Sequence, residues 1–272
     1  MTRKLQNSGA LRIVLRIGLI LSVLAVPERQ QIEAFGGAGP YNHLEITRLA
    51  LDRYAAESGV ELTTACQELI MQGSVVSDSL QYAHLDMFHC DNNNIPGCSY
   101  KLDELTREAE QSVFFPTTMN KIGQSLHIIQ DFYSHSNWVE INGFNFFLAP
   151  IEVFKDIPPP VQVQTGVFPD VLVGNLQLQF NCYLNPQSTW TDYIPGATHG
   201  CLNKDSGLTP RGASYVPGGF GMTYHDLAAE YAIRHTVEYM KRLEGRSLGL
   251  QMCLVPRAAT FGCNSAVVKL LH

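Results

Sequence analysis

SLHIIQDFYSHSNWVE, residues 125–140, decides how the rest of the chain is read. Within this otherwise apolar stretch, His127, Asp131 and His135 recur every four residues. On an α-helix a four-residue step advances the azimuth by about 40°, so these three side chains share one face while Leu126, Ile129, Phe132 and Tyr133 cover the remainder. No Lys or Arg lies between Ile122 and Phe154. A carboxylate buried in such a helix has no nearby cationic side chain, and an uncompensated buried charge is strongly unfavourable. A bound cation removes the difficulty, and the His/Asp donor set favours zinc.

Working outward, Pro116 and Thr117 punctuate the chain just before this helix, with the threonines placed to cap it. From His43 to Glu57, Ile46, Ala50 and Tyr54 recur at helical spacing while Arg48, Asp52 and Arg53 are available to water, which predicts a helix with His43 in its first turn. A second helix is expected from about Leu62 to Met71. Gly73 to Asn94 reads as irregular and concentrates Asp78, His84, Asp86, His89 and Asp91. Tyr100 to Val113 is polar and favours helix. Residues 142–222 are rich in Gly, Pro, Asn and aromatics, with Pro158 to Pro160 and a β-favouring run near Val161 to Phe180, which predicts long loops and a small hairpin. Thr223 and Asp226 form a capping-box pattern ahead of Ala228, Ala232, Tyr239 and Leu243, again at helical spacing, with His225 in the first turn. The tail from Ser247 reads as irregular. The expected fold class is mainly α, a single helical domain around a multinuclear zinc cleft, with a long Pro/Gly-rich loop region.

The 272 residues suffice for one sizeable core. At the N-terminus, Arg3, Lys4, Arg12 and Arg16 precede the apolar run Ile17 to Val26 and Pro27, the pattern of a secretory signal rather than a membrane span, since the run is too short to cross a bilayer. The expected organisation is therefore a signal peptide over 1–34 and one zinc-binding domain over 35–272, in a secreted or periplasmic protein. Loss of residues 1–34 would remove five of the 19 basic and two of the 25 acidic residues, leaving a formal charge of −9. That acidity argues against nonspecific binding to nucleic acid. Seven cysteines in an exported chain predict disulfides, the short-loop pairings being Cys90–Cys98, Cys182–Cys201 and Cys253–Cys263, with Cys66 left over. Cysteine-ligated zinc has no support, because no CxxC pair occurs.

Histidines and carboxylates thus gather at His43, in the Asp78 to Asp91 loop, on the ladder with Glu140, and at His225. Mixed nitrogen and oxygen sets with bridging carboxylates suit clusters of two or three ions that clamp a phosphodiester. His199, His235 and His272 read as ordinary core or surface histidines. Asn203, Lys204 and Asp205 either brace the cleft wall or form a surface turn. A serine nucleophile is not indicated: Ser134 and Ser136 flank His135, but there is no GxSxG elbow. Gly218, Gly219 and Gly221 follow no credible strand, which excludes a nucleotide fold.

In this order the elements resemble the zinc-dependent phospholipase C superfamily, whose metal site is similar to that of fungal single-strand nucleases. The signature is an aromatic-Gly start, an early His with IT, a loop Asp, the HCDN element, HxxxDFYSHSNWVE, NKDS and a late His-initiated helix. SLHIIQDFYSHSNWVE is closest to the Het-C-like branch, and the likeness spans about residues 35–243. The resemblance implies a helical body with a zinc cluster of two to three ions. His127 and Asp131 correspond to the family's His-x-x-x-Asp ligands, with Asp131 bridging two ions, and His43 to the early histidine ligand. Phe35 stands where the family has an N-terminal aromatic residue whose α-amine and carbonyl bind metal, which requires cleavage after Ala34. Asp78 matches the loop carboxylate, both a metal ligand and the candidate catalytic base. His89 is the preferred loop histidine and His84 its rival. For a third ion the chain departs from the family: His135 follows Asp131 by four residues where relatives place a histidine six residues on, here Asn137, and Ala229 stands four residues after His225 where a Glu is usual. Either Glu140 or Glu230 substitutes, or the third ion is absent.

The resemblance implies hydrolysis of phospholipid or another phosphodiester, releasing diacylglycerol in the phospholipase C reaction, with transient membrane-surface contact and no obligate protein partner. Two alternatives stand beside it. A single-strand nuclease of the same architecture would bind nucleic acid through aromatics such as Phe144, Phe146, Phe147 and Tyr215. A non-catalytic Het-C-like module would use zinc for stability alone.

Overall fold

The computed structural model describes residues 40–79, 81–143, 163–167 and 199–257. All of them belong to the unit Glu33–His272, one of the two units into which the chain divides; the other is Met1–Ile32. The described residues are mainly helical. In chain order the elements are α1 (His43–Ser58), β1 (Val60–Leu62), α2 (Thr64–Val76), α3 (Asp86–His89), α4 (Ile95–Gln111), α5 (Phe115–His135), α6 (Trp138–Asn142), α7 (His199–Leu202), α8 (Tyr224–Glu244), α9 (Leu248–Gln251) and β2 (Leu254–Pro256). No helix among the described residues is long and apolar enough to cross a membrane.

Helix α5, which carries the ladder, is the axis of the fold. Every residue from Ile122 to His135 is buried in it. Helices α2, α4 and α8 pack around α5, and α1 lies across α2 and α8. The crossing of α2 and α5 is very close because Gly73 meets Gly123. A Cβ on Gly73 would fall 2.6 Å from the Asn120 carbonyl oxygen and 3.0 Å from Gly123 Cα, so neither helix tolerates a side chain there. The approach places the C-terminal turn of α2 directly against the ladder face.

The starts of α1 and α8 follow the sequence reading, whereas α4 begins at Ile95, ahead of the expected Tyr100, with Asn94 as its cap. Asn42 caps α1, its side chain accepting from the Glu45 amide at 2.9 Å, which fixes His43 as the first helical residue. The Thr223–Asp226 capping box opens α8 as expected. At α5, however, the threonines do not cap. Pro116 lies in the first turn, so the helix begins at Phe115, and Thr118 instead donates to the Ser112 carbonyl at 3.2 Å.

Three further expectations change. Helix α2 runs on to Val76, and the short α3 interrupts the stretch read as irregular. The tail contributes β2, which pairs antiparallel with β1 in the register Val60↔Pro256, Glu61↔Val255 and Leu62↔Leu254. That pairing brings Cys253 to α2, and the disulfide is Cys66–Cys253 rather than Cys253–Cys263. Cys90–Cys98 forms as expected. Cys201 is disulfide-bonded too, although Cys182 lies outside the described residues. Most of the Val161 to Phe180 run lies outside them as well; its described part, 163–167, forms an isolated antiparallel bridge between Thr165 and Ser136.

Candidate metal centre

Four segments supply the centre: the start of α1 (His43), the turn after α2 (Asp78), the end of α3 (His89) and the middle of α5 (His127, Asp131). The side chains of His127 and Asp131 are fully buried, and Asp78 is the most accessible of the set at 9 % side-chain exposure. Asp131 faces both ways. Its Oδ1 lies 3.2 Å from His43 Nε2, while its Oδ2 lies 2.9 Å from His89 Nδ1 and 3.0 Å from His127 Nε2. Asp78 sits opposite in the same manner, Oδ2 at 3.9 Å from His43 Nε2 and Oδ1 at 3.7 and 3.9 Å from His127 Nε2 and His89 Nδ1. The donor atoms of His43, His127 and Asp131, and those of Asp78, His89 and His127, are close enough together to hold an ion.

The surrounding hydrogen bonds fix which ring nitrogens point inward. His127 Nδ1 donates to the Ser74 carbonyl at 2.7 Å, a bond available because Ser74 lies in the last turn of α2, where carbonyls lack helical partners. Gln130 Nε2 donates to Thr47 Oγ1 at 2.9 Å, which leaves Gln130 Oε1 to accept from His43 Nδ1 at 2.6 Å. Both histidines therefore carry a proton on the outer nitrogen and turn Nε2 toward the Asp131 carboxylate, and His127 Nε2 also lies 3.1 Å from His89 Nδ1. Nitrogen and carboxylate oxygen facing each other at about 3 Å need something positive between them, either a ring proton or a metal ion. Asp131 Oδ1 accepts no hydrogen bond, and His89 Nε2 has no hydrogen-bond partner among the described residues. These are the marks of a cation site. Ligands held tetrahedrally at about 2.0–2.1 Å stand roughly 3.3 Å from one another, close to the spacings seen here. The outward N–H bonds to Ser74 and Gln130 are the usual way a ligating histidine is oriented.

Without an ion, the carboxylates draw protons onto the rings, and a cation at the same position would take the place of those protons. Burial pulls the His43 pKa down, but the Asp131 and Asp78 carboxylates outweigh it and raise it to about 9. His89 is raised against its burial, chiefly by Asp131. Burial would lift the Asp131 carboxyl, but His127, His135 and His43 hold it well below the usual range. Asp78 is raised, by burial first and by Asp131 in addition.

A second group gathers where α5 ends. Asp91, His135 and His199 are buried together, with Asp205 on the far side of the His135 ring. His199, read from sequence as an ordinary histidine, belongs here, as do Asp91 and Asp205. The signal that identified the ladder could not reach them, since His199 and Asp205 stand more than sixty residues beyond His135 in the sequence and share no helical spacing with it.

The remaining expected ligands separate. His84 is exposed on a turn and belongs to neither group, so His89 is the loop histidine. Glu140 is not placed as a ligand: its Oε1 pairs with Lys204 Nζ and Arg211 Nη1, both at 3.1 Å. Lys204 is fully buried and also donates to the Ser136 and Leu202 carbonyls, and burial lowers its pKa to about 8 against the pull of Glu140. Glu230 pairs with Arg53 at 2.9 Å. His225 belongs to neither group, and its Nδ1 donates to the Lys204 carbonyl at 2.7 Å. The NKDS segment is therefore a wall brace rather than a surface turn. Phe35 and the aromatics Phe144, Phe146 and Phe147 lie outside the described residues, and Tyr215 is exposed.

Comparison with known proteins adds one likeness. A family described as the VWA7 N-terminal domain matches residues 45–149. The matched stretch includes Asp78, His89, His127, Asp131 and His135 but neither His43 nor the 199–211 segment. No curated protein and no solved structure matches the chain.

Proposed function

We propose that this chain is a zinc-dependent hydrolase of phosphodiester bonds, with phospholipids as its first substrate class and diacylglycerol as the product released. The observation that carries the reading is the pair of bridging carboxylates: Asp131 and Asp78 each turn one oxygen toward His43 and the other toward His89 and His127. Two-ion sites of this form clamp both the attacking and the leaving oxygen of an in-line displacement at phosphorus. Zinc held by His43, Asp78, His89, His127 and Asp131 would acidify a water to a pKa of about 7 and offset negative charge on phosphoryl oxygens.

The chain's own residues supply the rest. Asp78 is the most accessible member and its carboxyl is raised by burial, so it is suited to orient the attacking water and accept its proton. The donors His43, His127 and Asp131 are themselves almost fully withdrawn from water, which strengthens their hold on charge. Water oxygen bonds to phosphorus, the phosphorus–glycerol oxygen bond breaks, and solvent returns a proton to the departing alkoxide. Secretion accords with the two disulfides whose partners are both described.

Near-complete burial of His43, His127 and Asp131 favours a second reading, a non-catalytic module in which zinc only stabilises the fold. Turnover separates the two. The zinc-loaded mature protein is assayed on phosphatidylcholine vesicles, on a chromogenic bis-aryl phosphodiester and on single-stranded DNA. Hydrolysis of the first two, lost in Asp131→Asn together with at least one ion per chain, is expected. Cleavage of DNA alone would move the assignment to a nuclease, and inactivity on all three with zinc bound would establish the structural module.

A further inference from the structure

We propose that Asp91, His135 and His199, together with the main-chain carbonyl of His89, form a second and separate zinc site whose coordination is closed by protein, so that its ion is structural where those of the first centre are catalytic. The site stands on its own residues; only the contrast with the first centre rests on the function proposed above.

Three separated segments converge on one oxygen. Asp91 follows α3, His135 ends α5 and His199 opens α7, and their donor atoms lie close enough together to hold an ion. Asp91 Oδ1 lies 3.1 Å from His199 Nδ1 and 3.4 Å from His135 Nδ1, and the same His135 nitrogen lies 3.2 Å from the His89 carbonyl oxygen. Ligands held tetrahedrally at about 2.0–2.1 Å stand roughly 3.3 Å from one another, which these spacings match. At 3.4 Å the His135–Asp91 pair is longer than an ordinary hydrogen bond between nitrogen and oxygen. Two imidazole nitrogens with carboxylate and carbonyl oxygens are a donor set that suits zinc.

Charge and the surrounding contacts point the same way. Asp91 and Asp205 are both buried, and their ion-pair partners among the described residues are His135 and His199. Lys204, the cation beside Asp205 in sequence, turns its Nζ to Glu140 and to the Ser136 and Leu202 carbonyls instead. A zinc ion between the two rings and Asp91 offsets this concentration of carboxylate. Asp205 then stands behind the site rather than in it. Its Oδ1 lies 3.0 Å from His135 Nε2, on the side of the ring away from Asp91, and Ser134 Oγ and Asn203 Nδ2 hold it in place. His199 Nε2 is likewise occupied from outside, 3.0 Å from Asn203 Nδ2. Partners on the outer nitrogens leave both Nδ1 atoms facing Asp91, the arrangement that orients metal-bound histidines.

The place of the site in the fold gives it its role. Cys90 has a φ of 54°, in the left-handed region, and the turn it makes sends the ring of His89 into the first centre and Asp91 into the second. On α5 the same division falls between Asp131 and His135, one turn apart. Four protein donors, counting the His89 carbonyl, surround the ion among buried residues. Closed four-coordination of this kind leaves no position for water or substrate and is the form of a structural zinc. The donors also differ from the family's third set, whose places are held here by Asn137 and Ala229.

The test is the zinc content of the mature full chain, saturated with zinc alone, desalted and analysed for metal per chain, with folding checked by circular dichroism. Wild type should hold about three ions, two of them in the first centre. His199→Asn should hold one fewer. Asp205→Asn, which removes no ligand, should bind one ion about 10–100-fold more weakly in competition with a chromophoric chelator. The difference spectrum between cobalt-loaded wild type and His199→Asn belongs to the second ion, and inorganic phosphate should leave it unchanged. Equal zinc content in wild type and folded His199→Asn would overturn the site. If His199→Asn does not fold, Asp205→Asn decides, and all ions bound as tightly as in wild type would overturn it too. A phosphate-induced shift in the difference spectrum would overturn the closed, structural assignment. Zinc lost in His199→Asn but not in His43→Asn would uphold this site and refute the first centre.

Discussion

Gly73→Ala reaches the metal centre without touching it. The added methyl carbon would sit 2.6 Å from the Asn120 carbonyl oxygen and 3.0 Å from Gly123 Cα, both main-chain atoms that no rotamer change can move. Ordinary contact between such atoms needs about 3.2 Å or more, so α2 and α5 must part by roughly 0.6 Å. Overpacking of this kind costs about 1–3 kcal/mol. The same displacement falls on the neighbouring residue, because the Ser74 carbonyl that accepts from His127 Nδ1 at 2.7 Å belongs to the next position of α2. Stretched to roughly 3.3 Å, that bond weakens steeply and no longer fixes the His127 ring. Loss of such a partner lowers metal affinity about 10–100-fold. Chemical denaturation of the metal-free protein gives the first quantity and chelator competition the second. Gly245→Ala is the control, since a Cβ there meets nothing within 4 Å. If Gly73→Ala destabilises the fold but binds zinc as tightly as wild type, the Ser74–His127 bond does not orient the ligand and the argument from ring orientation fails.

His235 offers a pH test away from the centre. It is fully buried, its Nδ1 lies 3.0 Å from the Tyr133 hydroxyl, and burial, with Arg242 adding, lowers its pKa to about 3. The unfolded chain takes up the proton first, near about 6.5, so this contribution is complete above that pH and is lost as pH falls toward 3. It is worth on the order of 5 kcal/mol over the whole range, and His235→Asn should show a shallower loss of stability between pH 6.5 and 4 in urea denaturation; identical slopes would contradict it. For the Cys66–Cys253 disulfide, whose cysteines are 187 positions apart, chain entropy gives about 5 kcal/mol. The double change to Ser should lower the urea midpoint accordingly, and a peptide map that pairs Cys253 with Cys263 would contradict the connectivity.

What could be read from the chain depended on how locally each feature is encoded. The ladder helix, the His43 helix and the Thr223 capping box follow from spacing and signals within a few residues, and all three form, the ladder helix without its expected threonine cap. Periodicity put His127 and Asp131 on one face, and the loop histidine narrowed to His84 or His89. Only the fold chooses between those two, because α3 buries Phe88 and His89 against α5 and leaves His84 in water. The strand pair that places Cys253 beside α2 joins segments almost the whole chain apart, and nothing local announces it.

The misreading of Glu140 has a single cause. The absence of Lys and Arg around the ladder was correct along the sequence, but it said nothing about cations arriving from elsewhere. Lys204 and Arg211 reach Glu140 from a segment more than sixty residues on, and the charge that seemed to call for an ion is neutralised by side chains. His135 meets Asp205 from that segment and gathers with Asp91 and His199 into a second group whose donor atoms lie close enough together to hold an ion. Asp131 has no Lys or Arg partner either, since the side chains that approach it are histidines whose outer nitrogens are committed to Ser74 and Gln130. The ladder thus divides between its second and third rungs, His127 and Asp131 gathering with His43, Asp78 and His89 and His135 with Asp91 and His199, and the sequence announced only the first of these clusters.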